Sequence, residues 1–325
     1  MSNKTRYFVL VSGAILAVGL GTGLVASYMG MPVSVFSRAA GPDELKYVPA
    51  DAAVVAYANV SDVMNSDFRQ RFRSLEPTSN ERNDFEEKTG INIEQDIQSV
   101  VAAMMPGANM AEHPEQSALV LARGRFNADR LQALALEHGA TVESYQGKSV
   151  ITHQDGSDGK LAVGFIEADL VAMGSDAAVR RAIEAGAGNN VMSNIEMMRL
   201  VGELDSNNAW AVGRFDALAN EARLPDELQS RMPAITWFSA AGHINGGLSG
   251  VFKAEAKDEE SAKNLRDVLQ GFLALAKLQA GDKPGMQGMI DSLQLSGDGK
   301  TVALAFAVPT EVLDLLEAAA RANRK

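Results

Sequence analysis

The sequence predicts an α+β fold, with an N-terminal transmembrane helix followed by two diverged α+β repeat units, each a mainly antiparallel sheet packed on helices. Three observations carry this expectation. Residues 7–31, YFVLVSGAILAVGLGTGLVASYMGM, hold no charged side chain. Beyond them, many short apolar runs are separated by Gly-, Asn- and Asp-rich turns, the mark of antiparallel hairpins. The order strand, helix, two strands, amphipathic helix, hairpin occurs twice, and both hairpins turn at a related triplet, Gly147-Lys148-Ser149 and Gly299-Lys300-Thr301.

The uncharged run comes first because it sets the address. As a helix it rises about 37 Å at about 1.5 Å per residue, enough to cross a hydrocarbon core of about 30 Å with some tilt. It is too long for the apolar core of an ordinary signal peptide, roughly 7–15 residues, so an uncleaved anchor is expected. Lys4 and Arg6 precede it and no acid does. Positive charge stays cytoplasmic, so the body is expected outside the cytoplasm. Gly19 and Gly23 form a GxxxG, a spacing that lets two membrane helices approach closely; glycine is common in membrane helices, so a glycine-rich anchor with no partner is the expected reading. Residues 1–31 are thus assigned to a cytoplasmic tip and anchor, and residues 32–46, with Pro, Gly and Ser and no sustained period, to a linker.

The first unit is expected over residues 47–190. Ala53–Ala58 has the composition of a buried strand, followed by a helix capped by Ser61 or Asp62 and running to about Arg73. Ile97–Met105 and Ser117–Arg123 are strands. Asn127 caps a helix that carries Leu131, Leu134, Ala135 and His138 toward the core, and Gly139 ends it. Thr141–Tyr145 and Lys148–His153 form a hairpin about Gln146-Gly147. Lys160–Ile166 and Leu170–Met173 are strands, and Ser175 or Asp176 caps a helix to Gly186.

The second unit is expected over residues 191–325. Residues 194–204 form a short helix and Ala209–Gly213 a strand. Ile235–Ile244 and Leu248–Ala256 pair across Asn245-Gly246-Gly247. Asp258 caps the longest helix, which places Ala262, Leu265, Leu269, Phe272 and Ala276 on one face. Ile290–Leu295 and Thr301–Val308 form a hairpin, and Pro309 opens a terminal helix with Val312, Leu315, Leu316 and Ala319 inward.

Tyr47-Val48-Pro49-Ala50-Asp51-Ala52, Thr89-Gly90-Ile91-Asn92 with Asp96-Ile97, Gly124-Arg125-Phe126, Gly174-Ser175 and Trp210-Ala211-Val212-Gly213 together resemble a family of uncharacterised bacterial envelope proteins. The resemblance covers most of residues 47–215. It implies one N-terminal span in the bacterial inner membrane with the N-terminus cytoplasmic, and an exported α+β body in the periplasm. It implies no activity and no catalytic residues.

Composition narrows the chemistry. The net charge is −11, and every one of the 41 acids follows the span. A body of that sign repels nucleic acid, so no nucleic-acid partner is expected. There is no cysteine, hence no disulfide and no thiolate metal ligand. His113, His138, His153 and His243 include no pair at the spacing of a helical metal site. Asp155, Ser157 and Asp158 crowd a glycine turn but lack the ligand spacing and closing Glu of a calcium loop. The Gly-Lys-Ser and Gly-Lys-Thr triplets lack the P-loop's earlier glycine, having Val142 and Gln294 there, and sit between strands. Gly247-Leu248-Ser249-Gly250 fails the serine-hydrolase pattern. No catalytic, metal or cofactor site is therefore expected.

The helices over 258–280 and 309–322 carry broad apolar faces, with Leu269, Phe272, Leu273, Leu275 and Leu278 on the first. These serve either as core or as a groove for a lipid or a partner helix, and the core assignment is the expectation. The function expected is that of a membrane-anchored, non-enzymatic protein-binding or scaffold module. The alternative is a lipid- or small-molecule-binding module using a groove between the units, with an enzyme third.

Overall fold

A computed structural model describes residues 41–72, 80–106, 117–154, 160–204, 207–215, 234–245, 247–280 and 284–314. The expected span at 7–31, Gly19 and Gly23, His113, the turn at 155–159 and the terminal helix beyond 314 lie outside these residues. Among the described residues no helix is long and apolar enough to cross a membrane.

The fold is α+β with antiparallel pairing, and contacts divide the described chain into two compact units. One takes residues 41–61 and 80–204, the other residues 62–72 and 207–314. The division therefore falls after residue 204, where the sequence placed it at 190/191.

In the first unit the strands are β1 (Val54–Asn59), β2 (Ile97–Met104), β3 (Ala118–Gly124), β4 (Thr141–Tyr145), β5 (Lys148–Gln154), β6 (Lys160–Glu167) and β7 (Leu170–Ser175), ordered β1-β2-β3-β7-β6-β5-β4. Val55, Val100, Val101, Leu119, Leu121, Leu170 and Ala172 fill its core. The turn between β4 and β5 has Gln146 at φ 48° and Gly147 at φ 75°, the two positive angles that a two-residue hairpin of matching twist requires.

Two short helices follow β1, α1 (Val60–Asn65) and α2 (Asp67–Phe72). The pattern predicts one continuous helix there. Ser66 breaks it: its hydroxyl accepts from the Arg69 amide at 3.1 Å and donates back to the Val63 carbonyl at 2.7 Å, so it ends one helix and caps the next. Residues Asn80–Thr89 form α3, and Ile93–Asp96 form α4, capped by Asn92.

Helix α5 (Ala128–Glu137) starts at Asn127, whose side chain accepts from the Arg130 amide at 3.0 Å, and Gly139 at φ 80° ends it. Its apolar side is only half-buried and His138 is exposed, its ring nitrogen on the Leu134 carbonyl at 2.8 Å. His138 thus terminates the helix and does not face the core. Helix α6 (Asp176–Ala185), capped by Ser175, buries Ala178, Val179, Ala182 and Ile183 against the sheet. Helix α7 (Ile195–Leu204) closes the unit with Met197, Leu200, Val201 and Leu204 inward.

The second unit has β8 (Ala209–Arg214), β9 (Ile235–Asn245), β10 (Gly247–Ala256), β11 (Gln294–Ser296) and β12 (Thr301–Ala307), ordered β11-β12-β10-β9-β8. Helix α8 (Glu259–Ala280) begins at Asp258, which accepts from the Ser261 amide at 2.8 Å. Helix α9 (Pro284–Asp291) holds Ile290, which the sequence placed on a strand. Its two glycines lower helix propensity, so packing and not local preference forms this turn of helix. In both units the third strand pairs with the last, and the last with the one before it: β1-β2-β3-β7-β6 and β8-β9-β10-β12-β11. By this order the counterpart of β11–β12 is β6–β7, so the two Gly-Lys triplets occupy unlike hairpins.

Candidate functional site

Two places stand out among the described residues, and the first is a knot of charge at the start of the body. Residues Asp43–Tyr47 form a 3-10 helix inside the stretch read as linker, with Leu45 wholly buried and Glu44 only 3% exposed. Antiparallel register sets Ser99 of β2 directly opposite Arg123 of β3. The Glu44 carboxylate accepts from the Ser99 hydroxyl at 2.9 Å and from Arg123 Nε at 2.7 Å. Arg123 Nη1 donates to Asp169 at 2.8 Å and to Glu167 at 3.2 Å, both at the β6–β7 turn. Glu167 in turn accepts from the Tyr47 hydroxyl at 2.7 Å and pairs with Lys46 at 2.8 Å.

The electrostatics follow from these partners. Bonds from Lys46 and then Tyr47 hold the Glu167 carboxyl down to about 2. Burial works against the Arg123 charge, but Glu44 and Asp169 outweigh it and raise its pKa above the ordinary value. Tyr47 is raised by burial and by its bond to Glu167. A carboxylate held that low beside a guanidinium held that high exchanges no proton near neutrality. The knot fixes structure: it joins the segment leading into the body to three strands.

The second place is helix α8. Ala262 and Ala280 are buried on it, and Leu265, Leu269 and Leu295 pack against the cluster of Ala256, Ala262 and Val302. The sequence assigned the whole apolar surface of this helix to the core. The structure divides it. Phe272 is 62% exposed and Leu278 81%, with Val268 and Leu275 also open to solvent. At about 100° per residue, Val268, Gly271, Leu275 and Leu278 form a second stripe turned away from the one that meets the sheet, and Phe272, about 20° from Leu265, lies on the border between the two. A Cβ built on Gly271 would meet nothing within 4 Å. The signal was legible: from Val268 to Ala280 only Gln270, Lys277 and Gln279 are polar, more apolar circumference than one sheet face covers.

The other expected features are placed as follows. His153 lies on β5, half-buried, and His243 on β9. Among the described residues no group of three His, Asp or Glu is placed to hold a metal ion. Ser249 sits on β10, paired with His243 across the hairpin, and Val142 and Gln294 lie on β4 and β11.

No protein-family model matches the chain. No curated protein matches it either. A solved structure, crystal form I of TP0453, is similar to it with a TM-score of 0.45 at 10% sequence identity, over 86% of this chain and 98% of the other.

Proposed function

We propose that this chain is a membrane-anchored extracytoplasmic protein of the bacterial inner membrane, built as a diverged duplication, whose body works without catalysis by holding another protein. The observation that supports this reading is the outward stripe of α8. Monomeric soluble surfaces carry single apolar residues freely, but a contiguous row headed by a 62%-exposed Phe and an 81%-exposed Leu has the form of an interaction site. The uncharged run at 7–31 supports the anchor, and the matching strand orders of the two units support the duplication.

A photo-reactive amino acid at position 272 of the full-length protein, irradiated in native membranes, tests the reading. A discrete protein adduct, absent when the same group stands at the exposed position 263 on another side of the helix, supports it. Adducts to lipid alone would replace it with the lipid-binding alternative. No adduct at 272 or at 278 would remove the stripe as a site.

A further inference from the structure

We infer that residues 41–49 form a strap that clasps helix α7 to the first unit, and that strap and helix open together while the sheet stays closed. The strap's backbone bonds mostly to itself. The Leu45 amide donates to the Pro42 carbonyl at 3.0 Å, and the Val48 amide to the Leu45 carbonyl at 3.1 Å. It meets the C-terminal end of the unit where the Val191 amide donates to the Val48 carbonyl at 2.9 Å and Pro49 bridges Asn190. Val191–Ser193 is a 3-10 turn one residue before α7, and the strap's own 3-10 helix packs on that turn and on α6. At the strap's other end, a Cβ built on Gly41 would lie 3.1 Å from Val201 and 3.8 Å from Met198, both on α7. The strap thus grips both α7 and the turn that leads into it.

Side chains supply the rest of the hold: Glu44 on Ser99 and Arg123, Lys46 and Tyr47 on Glu167. The Tyr47 ring also lies against Gly186 at the end of α6, so close that a Cβ there would be 2.6 Å from it. Lifting the strap breaks these bonds in one step and takes Glu44 into water. The sheet beneath remains whole. Strands β2 and β3 keep their register, α6 keeps its cap at Ser175, and Arg123 Nη1 keeps Asp169 and Glu167. Helix α7 has no such independence. A ten-residue helix is too short to persist unpacked, and its Met197, Leu200, Val201 and Leu204 are all buried. A five-residue 3-10 helix has still less stability of its own. Strap and α7 therefore form one cooperative opening unit and the sheet another.

Hydrogen exchange of the full-length protein in urea below its unfolding transition tests this. The amides of Val48, Val191 and α7 are expected to exchange through one shared opening, at least roughly tenfold faster than the β2–β3 ladder. Tyr47→Phe removes the bond to Glu167 and should speed that whole set by roughly tenfold. Val150→Ala, in the wholly buried middle of β5, should speed the sheet and leave strap and α7 unchanged. Strap and α7 amides that speed up with Val150→Ala open only with the entire unit, which overturns the inference. A fast strap beside an α7 that exchanges at the sheet's rate overturns it too, because the clasp then holds nothing. The comparison within the unsubstituted protein decides the matter should either variant fail to fold.

Discussion

Arg123 Nε of β3 donates to Glu44 Oε1 at 2.7 Å, closing a buried ion pair between residues 79 positions apart in the chain. Glu44 stands at the start of the body and is only 3% exposed. Removing one member of such a pair strands the other, which costs more than the pair is worth. Glu44→Ala and Arg123→Ala are each expected to destabilise the first unit by about 2–4 kcal/mol. The double variant should cost clearly less than the sum, with a coupling above about 1 kcal/mol. Calorimetry of the four proteins completes the cycle, and additive effects would mean the pair is only incidental.

Glu167 carries the pH dependence. Its carboxyl lies at about 2 in the folded protein against 4.5 for the free group. A depressed carboxyl lends stability that is whole above the unfolded value and disappears as pH falls through the folded one, here between about 4.5 and 2. Glu167→Gln is expected to lower stability at pH 7 by about 1–2 kcal/mol, allowing for solvent around Lys46. It should also flatten the acid side of the melting-temperature curve. A curve of unchanged slope would assign the acid sensitivity to other carboxylates.

Gly124 and Gly202 predict opposite signs for the same change. A Cβ on Gly124 would lie 2.3 Å from the backbone oxygen of Asp96, which cannot yield without moving the strand. Gly124→Ala is expected to cost about 2–3 kcal/mol, as overpacking against backbone does. Gly202 lies within α7 and its Cβ would meet nothing within 4 Å. Gly202→Ala is expected to stabilise by about 0.5–1 kcal/mol through helix propensity alone. Thermal melts of the two single variants decide it.

The contrast between those glycines marks what was legible in the sequence. Asn127, Ser175 and Asp258 announced their helices because a cap is satisfied within three residues, and Gln146-Gly147 announced its turn for the same local reason. The break at Ser66 was hidden because a serine inside a helical pattern looks the same whether or not its hydroxyl takes the Arg69 amide. The Glu44 knot was hidden more deeply. Its partners lie 55 and 79 positions along the chain, and only the register that puts Ser99 across from Arg123 creates them. The expected equivalence of the two Gly-Lys hairpins fails for a related reason: turn chemistry reveals which strands form a hairpin, but not which hairpin joins β3 or β10.

The division of α8 into a packed and an open stripe yields the last prediction. Leu265 and Leu269 lie on the Ala256, Ala262 and Val302 cluster, whereas Phe272 and Leu278 face solvent. Truncating the first pair removes buried area and leaves a cavity; truncating the second does neither. Leu265→Ala and Leu269→Ala are each expected to destabilise the second unit by about 1–2 kcal/mol. Phe272→Gln and Leu278→Gln should stay within about 0.5 kcal/mol of the parent. The buried Trp210 of β8 lies in the same unit, so urea unfolding followed by tryptophan fluorescence reads both series. A loss above about 1 kcal/mol for the glutamine variants would return this stripe to the core. Stability held at Phe272→Gln, with cross-linking lost at that face, would instead mean that the residue serves a contact and not the fold.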